Sequence, residues 1–105
     1  MSQPEYLVKQ LADELAIPEV GKQTVVLVDN SKTKTILFSF AAGGGLAEHV
    51  APFDAMIQVI SGTAALTVAN ESVEGKLGTW IHLAAKTPHS IKAETPVVLL
   101  LTLIK

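Results

Sequence analysis

The 105-residue chain contains no cysteine, and aromatic residues make up only 5% of it. Without cysteine there is no disulfide, no thiolate metal ligand and no thiol nucleophile, which suits a reducing compartment. All eight basic residues are lysines, so the planar fork with which arginine clamps phosphates and carboxylates is missing. These absences argue against a nucleic-acid partner and against an anchored phosphate or diacid substrate. They leave room for a single lysine that acts as a point charge.

Long apolar runs are also missing. The longest, VVLLL at residues 97–101, is far shorter than the roughly 20 residues of a membrane-spanning helix, so no membrane partner is expected. The start, MSQPEYLVKQ, lacks the basic segment followed by an apolar segment that marks a secretory signal. We therefore expect a cytoplasmic protein.

An amphipathic helix is predicted over residues 4–16, because its leucines recur at every fourth position. Pro4 suits the first helical turn and Pro18 would end the helix. We expect this N-terminal helical segment, within residues 1–20, to pack against the edge of a sheet. Docking onto a peptide is the alternative.

From Gly21 onward the chain changes to short apolar segments separated by Gly, Pro and Asn. Strands are predicted at residues 24–29, 33–40, 54–61, 63–70, 77–84, 88–93 and 96–104. Residues 41–45 (AAGGG) predict a loop and residues 70–75 (NESVEG) a turn. About eight short strands of this kind indicate an all-β antiparallel sandwich or barrel, and the length indicates one domain over residues 1–105.

The last predicted strand is apolar on both faces, with Val97 and Leu99 on one face and Val98 and Leu100 on the other. A strand at the surface of a monomer would alternate with polar residues, so the N-terminal helix or a second subunit must cover one face. The chain is also 49% hydrophobic. We therefore predict a homodimer.

Three histidines, His49, His82 and His89, are the candidates for chemistry. Imidazoles brought together on facing barrel strands form sites for divalent metal ions, although a single histidine is more often packed or hydrogen-bonded without metal. His82 alternates with Ile81 and Leu83 and shares a face with Trp80. Because the apolar pair should face the barrel, we expect His82 outside it.

Spacing distinguishes the other two histidines. Gly43 stands six residues before His49, Gly62 thirteen residues after it, and Gly78 eleven residues before His89. These distances match the two motifs of the cupin superfamily, G-x5-H-x-H-x3-E-x6-G and G-x5-P-x-G-x2-H-x3-N. The chain resembles a small single-domain cupin. The resemblance implies a jelly-roll β-barrel in which both histidines point into one cavity.

The resemblance covers residues 34–104, but the metal-binding motif is degenerate. Five motif positions carry other residues, namely Ala51, Ala55, Ala84, Lys86 and Ala93. Of the four ligands that the family uses, only His49 and His89 are therefore present. Since a catalytic metal ion normally has three or more protein ligands, a divalent ion (Zn, Ni, Fe or Mn) should be held weakly, if a cofactor is bound at all.

Two polar residues could complete the site. Asp54 precedes the position of the missing glutamate, and a β-bulge would turn it inward. Gln58 lies within the apolar run AMIQVI, on the opposite face from Ala55 unless a bulge intervenes. The candidate ligand pocket therefore comprises His49, His89, Gln58 and Asp54.

Three functions fit these residues. The first is a binding module with a mostly apolar small-molecule pocket, enlarged by Ala51 and Ala55, and a weak metal site. The second is a metal-dependent enzyme of the dioxygenase, isomerase or lyase type, using His49 and His89 with Asp54, Gln58 or water. The third is metal-free catalysis with a histidine as general base near neutral pH. Fold alone does not choose among them.

Overall fold

A computed structural model of the chain describes residues 6–14 and 18–105, without the side chain of Ala12. Nine strands occupy most of the described part. They are β1 (Lys22–Asp29), β2 (Thr33–Phe40), β3 (Gly45–His49), β4 (Asp54–Ser61), β5 (Ala64–Val68), β6 (Glu71–Gly75), β7 (Trp80–Leu83), β8 (His89–Ala93) and β9 (Val97–Ile104). The predicted all-β fold is confirmed.

The strands form two antiparallel sheets. The first sheet has the order β1-β2-β9-β4-β7, and the second has the order β3-β8-β5-β6. The chain crosses between the sheets after β2, β3, β4, β6, β7 and β8, so their inner faces close on one core in the jelly-roll manner. Alternation along each strand then decides which side chains enter that core.

The inner face of the first sheet is built of rows of residues in register. One row contains Phe38, Leu99 and Val59, and Leu99 and Val59 are each 1% exposed. The next row lies nearer the end of the barrel where β2 and β4 begin, called the open end, and contains Ile36, Leu101 and Ile57. Apart from Ile36, the residues of these rows pack with Leu66, Ile91 and Ala93 of the second sheet in one cluster. Its burial is the dominant favourable contribution to folding.

Both faces of β9 are apolar, as the sequence indicated, and they differ in how far they are covered. On the outer face Val98 is fully buried, whereas Ile104 at the far end is 41% exposed. Leu37, the neighbour of Leu100 on β2, is 1% exposed. The outer face is therefore covered near the start of β9 and open near its end.

The predicted N-terminal helix is not found in the described part of the chain. Residues 6–10 have no regular secondary structure, and Leu11–Glu14 form a single 3-10 turn; residues 1–5 and 15–17 lie outside the described residues. Tyr6 is 79% and Val8 72% exposed. A short amphipathic helix depends on burial of its apolar stripe, and these side chains gain little burial.

Two other expectations need correction. Residues 70–75 are not only a turn, because Glu71–Gly75 form β6 and pair with β5 along its whole length. The predicted loop at 41–45 is shorter by one residue, since Gly45 begins β3. A Cβ atom on Gly45 would lie 2.0 Å from the carbonyl oxygen of Ile91, so glycine is needed for this strand pairing. Within the described residues, no helix is long and apolar enough to span a membrane.

Candidate functional site

The structure brings His49 and His89 together at one end of the barrel. His49 ends β3, His89 begins β8, and the two residues are register partners in the second sheet. Their ring centroids are 4.2 Å apart, with an angle of 57° between the ring planes. His89 is 6% exposed, whereas His49 is exposed. One imidazole is therefore set into the barrel wall and the other lies at its rim.

The same local hydrogen bond fixes both rings. Nδ1 of His49 lies 2.9 Å from the carbonyl oxygen of Ala47, and Nδ1 of His89 lies 2.9 Å from that of Thr87. A carbonyl oxygen only accepts, so each Nδ1 donates its hydrogen. In the neutral imidazoles, each Nε2 is then left with its lone pair. This backbone-anchored tautomer is the one that metal-ligating histidines commonly adopt.

A small apolar cavity of about 30 Å³ lies against the two rings. Besides the histidines, it is lined by Phe38, Leu46, Ile57, Ile91, Leu99 and Leu101. Its volume corresponds to roughly one water molecule and is far below the roughly 300–1,000 Å³ of ordinary ligand pockets. Any larger ligand must therefore keep most of its body at the open rim.

The missing motif side chains do not leave the large space that the sequence suggested. Ala55 is 2% exposed and belongs to the core cluster. It lies in register between Leu83 of β7 and Leu103 of β9. These leucines pack closely around the small side chain, which accounts for the lack of a large void there.

Asp54 and Gln58 are not brought to the histidine pair. Along β4 the buried residues are Ala55, Ile57 and Val59, so Asp54 and Gln58 lie on the outer face. The irregularity in the pairing of β4 with β9 comes only after Val59. No bulge therefore interrupts the alternation between Asp54 and Gln58.

Asp54 instead connects two elements outside the barrel. Its Oδ1 accepts a hydrogen bond from the backbone N–H of Ala85 at 2.9 Å. Its Oδ2 lies 3.5 Å from Nε2 of His82, and both side chains are about 50% exposed. His82 and its neighbour Trp80, which is 59% exposed, thus lie on the outer face of β7.

The donor set at the histidine pair fits a divalent metal ion only in part. Two imidazoles bound to one ion place their ring centroids about 4.5 Å apart at a right angle and about 5 Å apart at the tetrahedral angle of zinc, given metal–nitrogen bonds of about 2.0–2.1 Å. The observed 4.2 Å is shorter than both values, so the rings would have to separate to hold a tetrahedral zinc ion. In addition, residues 6–14 and 18–105 contain no cluster of three or more His, Asp or Glu side chains able to hold a metal ion. A bound ion would need water or an external ligand to complete its coordination.

The sequence argument missed two lysines at this end of the barrel. Lys34 lies on β2 in register with Leu103, on the face that carries Ile36 and Phe38. The sequence did indicate that Lys34 faces inward, because it shares the alternating positions of TKTILFSF with Ile36, Phe38 and Phe40. Lys86 takes the place of a motif glycine and keeps a left-handed backbone, with φ of 69°.

A larger surface depression lies elsewhere. It is an open groove of about 660 Å³ along the edge strand β3, and its lining includes Gly44, Thr67, Ser90 and Lys92. Thr67 and Ser90 are hydrogen-bonded to each other across β5 and β8. Neither histidine of the pair lines this groove, so it is separate from the candidate site.

Comparisons with known proteins are consistent with this architecture. No family model matches the chain, and no curated protein matches it. Among solved structures, a conserved protein of unknown function from Streptococcus pyogenes is similar over 98% of this chain and 90% of its own, with 27% identity and a TM-score of 0.85. A cupin superfamily protein from Desulfitobacterium hafniense is 20% identical over 96% of this chain and 93% of its own, also with a TM-score of 0.85.

A third structure is longer than this chain. The cupin 2 conserved barrel domain protein from Leptotrichia buccalis is 30% identical over 90% of this chain but only 46% of its own length, with a TM-score of 0.82. The strand order, the paired histidines and these similarities agree. This chain is a small domain with the cupin fold.

Proposed function

We propose that the chain is a binding module whose site is the His49–His89 pair above the apolar cavity. The observation that carries this proposal is that both Nδ1 atoms are tied to backbone carbonyls, which leaves two Nε2 atoms to meet a ligand. Among the hydrogen bonds of the described residues, none engages either Nε2. Two fixed acceptors above an apolar cavity resemble the sparse polar lining of a small-molecule site.

The same pair is proposed to hold a divalent metal ion weakly. Two neutral imidazoles supply half of a tetrahedral ligand set. The binding free energy should therefore fall well short of the roughly 10–16 kcal/mol of structural zinc sites with four ligands. The alternative of a metal-dependent enzyme would require a substrate or water to fill the remaining positions. Tight metal binding would favour that alternative.

The test is calorimetric titration of zinc, nickel and manganese into untagged apo protein. The double variant His49→Ala, His89→Ala should bind zinc at least about tenfold more weakly than the wild type. His82→Ala is the matched control, because it removes a half-exposed histidine on the outer face and should leave the affinity unchanged. Equal binding by the wild type and the double variant would overturn the proposal.

We further propose that a second copy of this chain docks on the outer face of β9, β4 and β7. Leu100, Gln58 and Trp80 form one row across these strands, and Thr102, Met56 and His82 form the next. The two rows carry no acidic or lysine side chain. A two-fold interface brings the same patch against itself, and two rows without carboxylate or lysine side chains do so without repulsion between like charges.

The expected interface buries roughly 1,000 Å² or more in total. Light scattering at micromolar concentration should give the dimer mass for the wild type and the monomer mass for Trp80→Glu. Leu77→Glu is the control, because Leu77 is 76% exposed but precedes β7 and lies outside the two rows. Trp80 is the single tryptophan of the chain, so a blue shift of its fluorescence at rising concentration should report the same burial. A monomer mass for the wild type would refute this proposal.

A further inference from the structure

Lys34 faces the interior of the barrel rather than the solvent side of the first sheet. It lies in register with Leu103 of β9, which in turn lies in register with Ala55 of β4. Ala55 is 2% exposed, and Leu103 packs against the core cluster. Since register partners share a face of the sheet, the lysine projects from the inner face and is half-buried.

This position lies next to an inner row whose residues on β9 and β4 line the cavity at the histidines. The inner row next to Lys34 is that of Ile36, Leu101 and Ile57, and Leu101 and Ile57 line the cavity at the histidines. Lys34 is one inward position nearer the open end, about 7 Å further along the strand. An extended lysine side chain spans such a distance.

The charges around Lys34 leave an excess of positive charge. Asp29 lies opposite Lys34 on β1, but its Oδ1 accepts a hydrogen bond from Nζ of Lys105 at 2.8 Å. That hydrogen bond, together with the attraction of Lys105 and Lys34, holds the pKa of Asp29 below its ordinary value of 3.8. Within the described residues no carboxylate forms an ion pair with Lys34 itself. Two cations therefore share one anion.

A ligand that fits this arrangement must satisfy three groups at once. A negative charge would pair with Lys34, and a lone lysine suits one carboxylate better than a phosphate or diacid, which would call for the fork of arginine. The Nε2 lone pairs of His49 and His89 require a hydrogen-bond donor. The cavity of about 30 Å³ has room for a methyl group.

We propose that Lys34 and the His49–His89 pair together bind a small hydroxy monocarboxylate. The carboxylate pairs with the ammonium of Lys34, the hydroxyl donates to an imidazole Nε2, and a short alkyl group enters the apolar cavity. This inference rests on the proposed binding function of the histidine pair and adds the chemical class of the ligand. Lys34 is thus a specificity-determining residue.

The experiment compares lactate with two probes that each lack one feature. Lactamide lacks the charge and propionate lacks the hydroxyl. Binding is followed by NMR through the imidazole C–H signals of His49 and His89. The wild type should bind lactate about tenfold more tightly than lactamide, as expected for one hydrogen bond to a charged group, and more tightly than propionate.

Three variants locate the charge. Lys34→Met should bring lactate down to the affinity of lactamide, whereas Lys34→Arg should keep the preference for lactate. Lys32→Met is the matched control, because it removes an exposed lysine from the neighbouring turn and should leave the preference intact. A preference for lactate that survives in Lys34→Met would overturn the inference.

Zinc titration of the same samples separates this inference from the proposed function. Lys34→Met should bind zinc no more weakly than the wild type, since a lysine ammonium donates no lone pair to a metal ion. If zinc shifts the His49 and His89 signals and lactate does not, the assignment of the ligand class is wrong while the binding site remains. If neither shifts them, both proposals are wrong.

Discussion

The chain reverses direction at both ends of the barrel, but the residues with positive φ differ between the two ends. At the end opposite the histidines, called the closed end here, the residues with positive φ are glycines: Gly21, Gly43, Gly45, Gly62 and Gly78. At the open end, which carries the histidines, residues with positive φ are Ala69, Asn70 and Lys86. Residues other than glycine rarely adopt this backbone conformation, because their Cβ atom crowds the following carbonyl oxygen. Within the described residues, the non-glycine strain is thus confined to the open end.

The comparison separates a tightly packed end from the end that carries the candidate site. Phe40 and Val97 are fully buried at the closed end, and Gly45 and Gly62 there leave no room for a Cβ atom. At the open end, Lys86 donates its backbone N–H to the carbonyl oxygen of Ala51 at 2.8 Å. This contact links the loops that precede Asp54 and His89. Strained residues often cluster where a site must be held in place.

The largest expected effect is at the closed end, at Gly62. Its φ is 81°, and a Cβ atom there would lie 2.0 Å from the carbonyl oxygen of Pro96. Because that obstacle is backbone, Gly62→Ala should combine left-handed strain with overpacking and destabilise the fold by about 3 kcal/mol. Urea unfolding measures this change.

Gly43 supplies the control for that measurement. Its φ is 83°, but a Cβ atom would meet nothing within 4 Å. Gly43→Ala should therefore cost only the conformational strain, about 1 kcal/mol. Equal losses in the two variants would show that close packing does not distinguish Gly62.

The sequence predicted most of this fold because alternation and turn residues act locally. It predicted seven of the nine strands directly, and Gln58 lies on the side that simple alternation gives. It failed for β6, since the polar segment ESVEG is held by its pairing with β5 rather than by its own apolar pattern. It failed for the helix at 4–16 because an amphipathic stripe does not by itself reveal what will cover it.

The candidate site was predictable only to the level of the histidine pair. The resemblance in motif spacing predicted that His49 and His89 lie on facing strands and share one cavity, but it did not predict that they pair in register as neighbours in one sheet. The volume of the cavity was not predictable, because it depends on how Leu83 and Leu103 pack around Ala55. The position of Lys34 beside the row that lines the cavity follows from the register of β2, β9 and β4. The alternation of residues within one strand does not reveal that register.

A smaller effect, of opposite sign, is expected at the open end. Lys86→Gly removes the left-handed strain at φ of 69°, while the added freedom of the unfolded chain offsets part of the gain. The net result should be a stabilisation of about 0.5–1 kcal/mol in urea unfolding. Ala85→Gly, at the exposed neighbouring residue without positive φ, should instead destabilise by a similar amount. If Lys86→Gly destabilises the fold, the backbone at Lys86 is not strained and the comparison of the two ends does not hold for this residue.

The smallest effect concerns the ion pair between Asp29 and Lys105 at the open end, whose nitrogen and oxygen are 2.8 Å apart. The hydrogen bond from Lys105 is the main reason why the pKa of Asp29 lies below its ordinary value of 3.8. A carboxyl group with a lowered pKa in the folded state stabilises the fold above its unfolded pKa, and this contribution is lost as the pH falls through the lower folded value. Wild type should therefore be slightly more stable than Asp29→Asn at pH 6, and the difference should decline as the pH falls below the ordinary value of 3.8 and vanish below the lower folded value, where Asp29 is protonated in both states. Because the pair is exposed, the difference should also shrink in high salt. Thermal unfolding of both proteins across this pH range checks the sign, and a difference that grows in acid would contradict it.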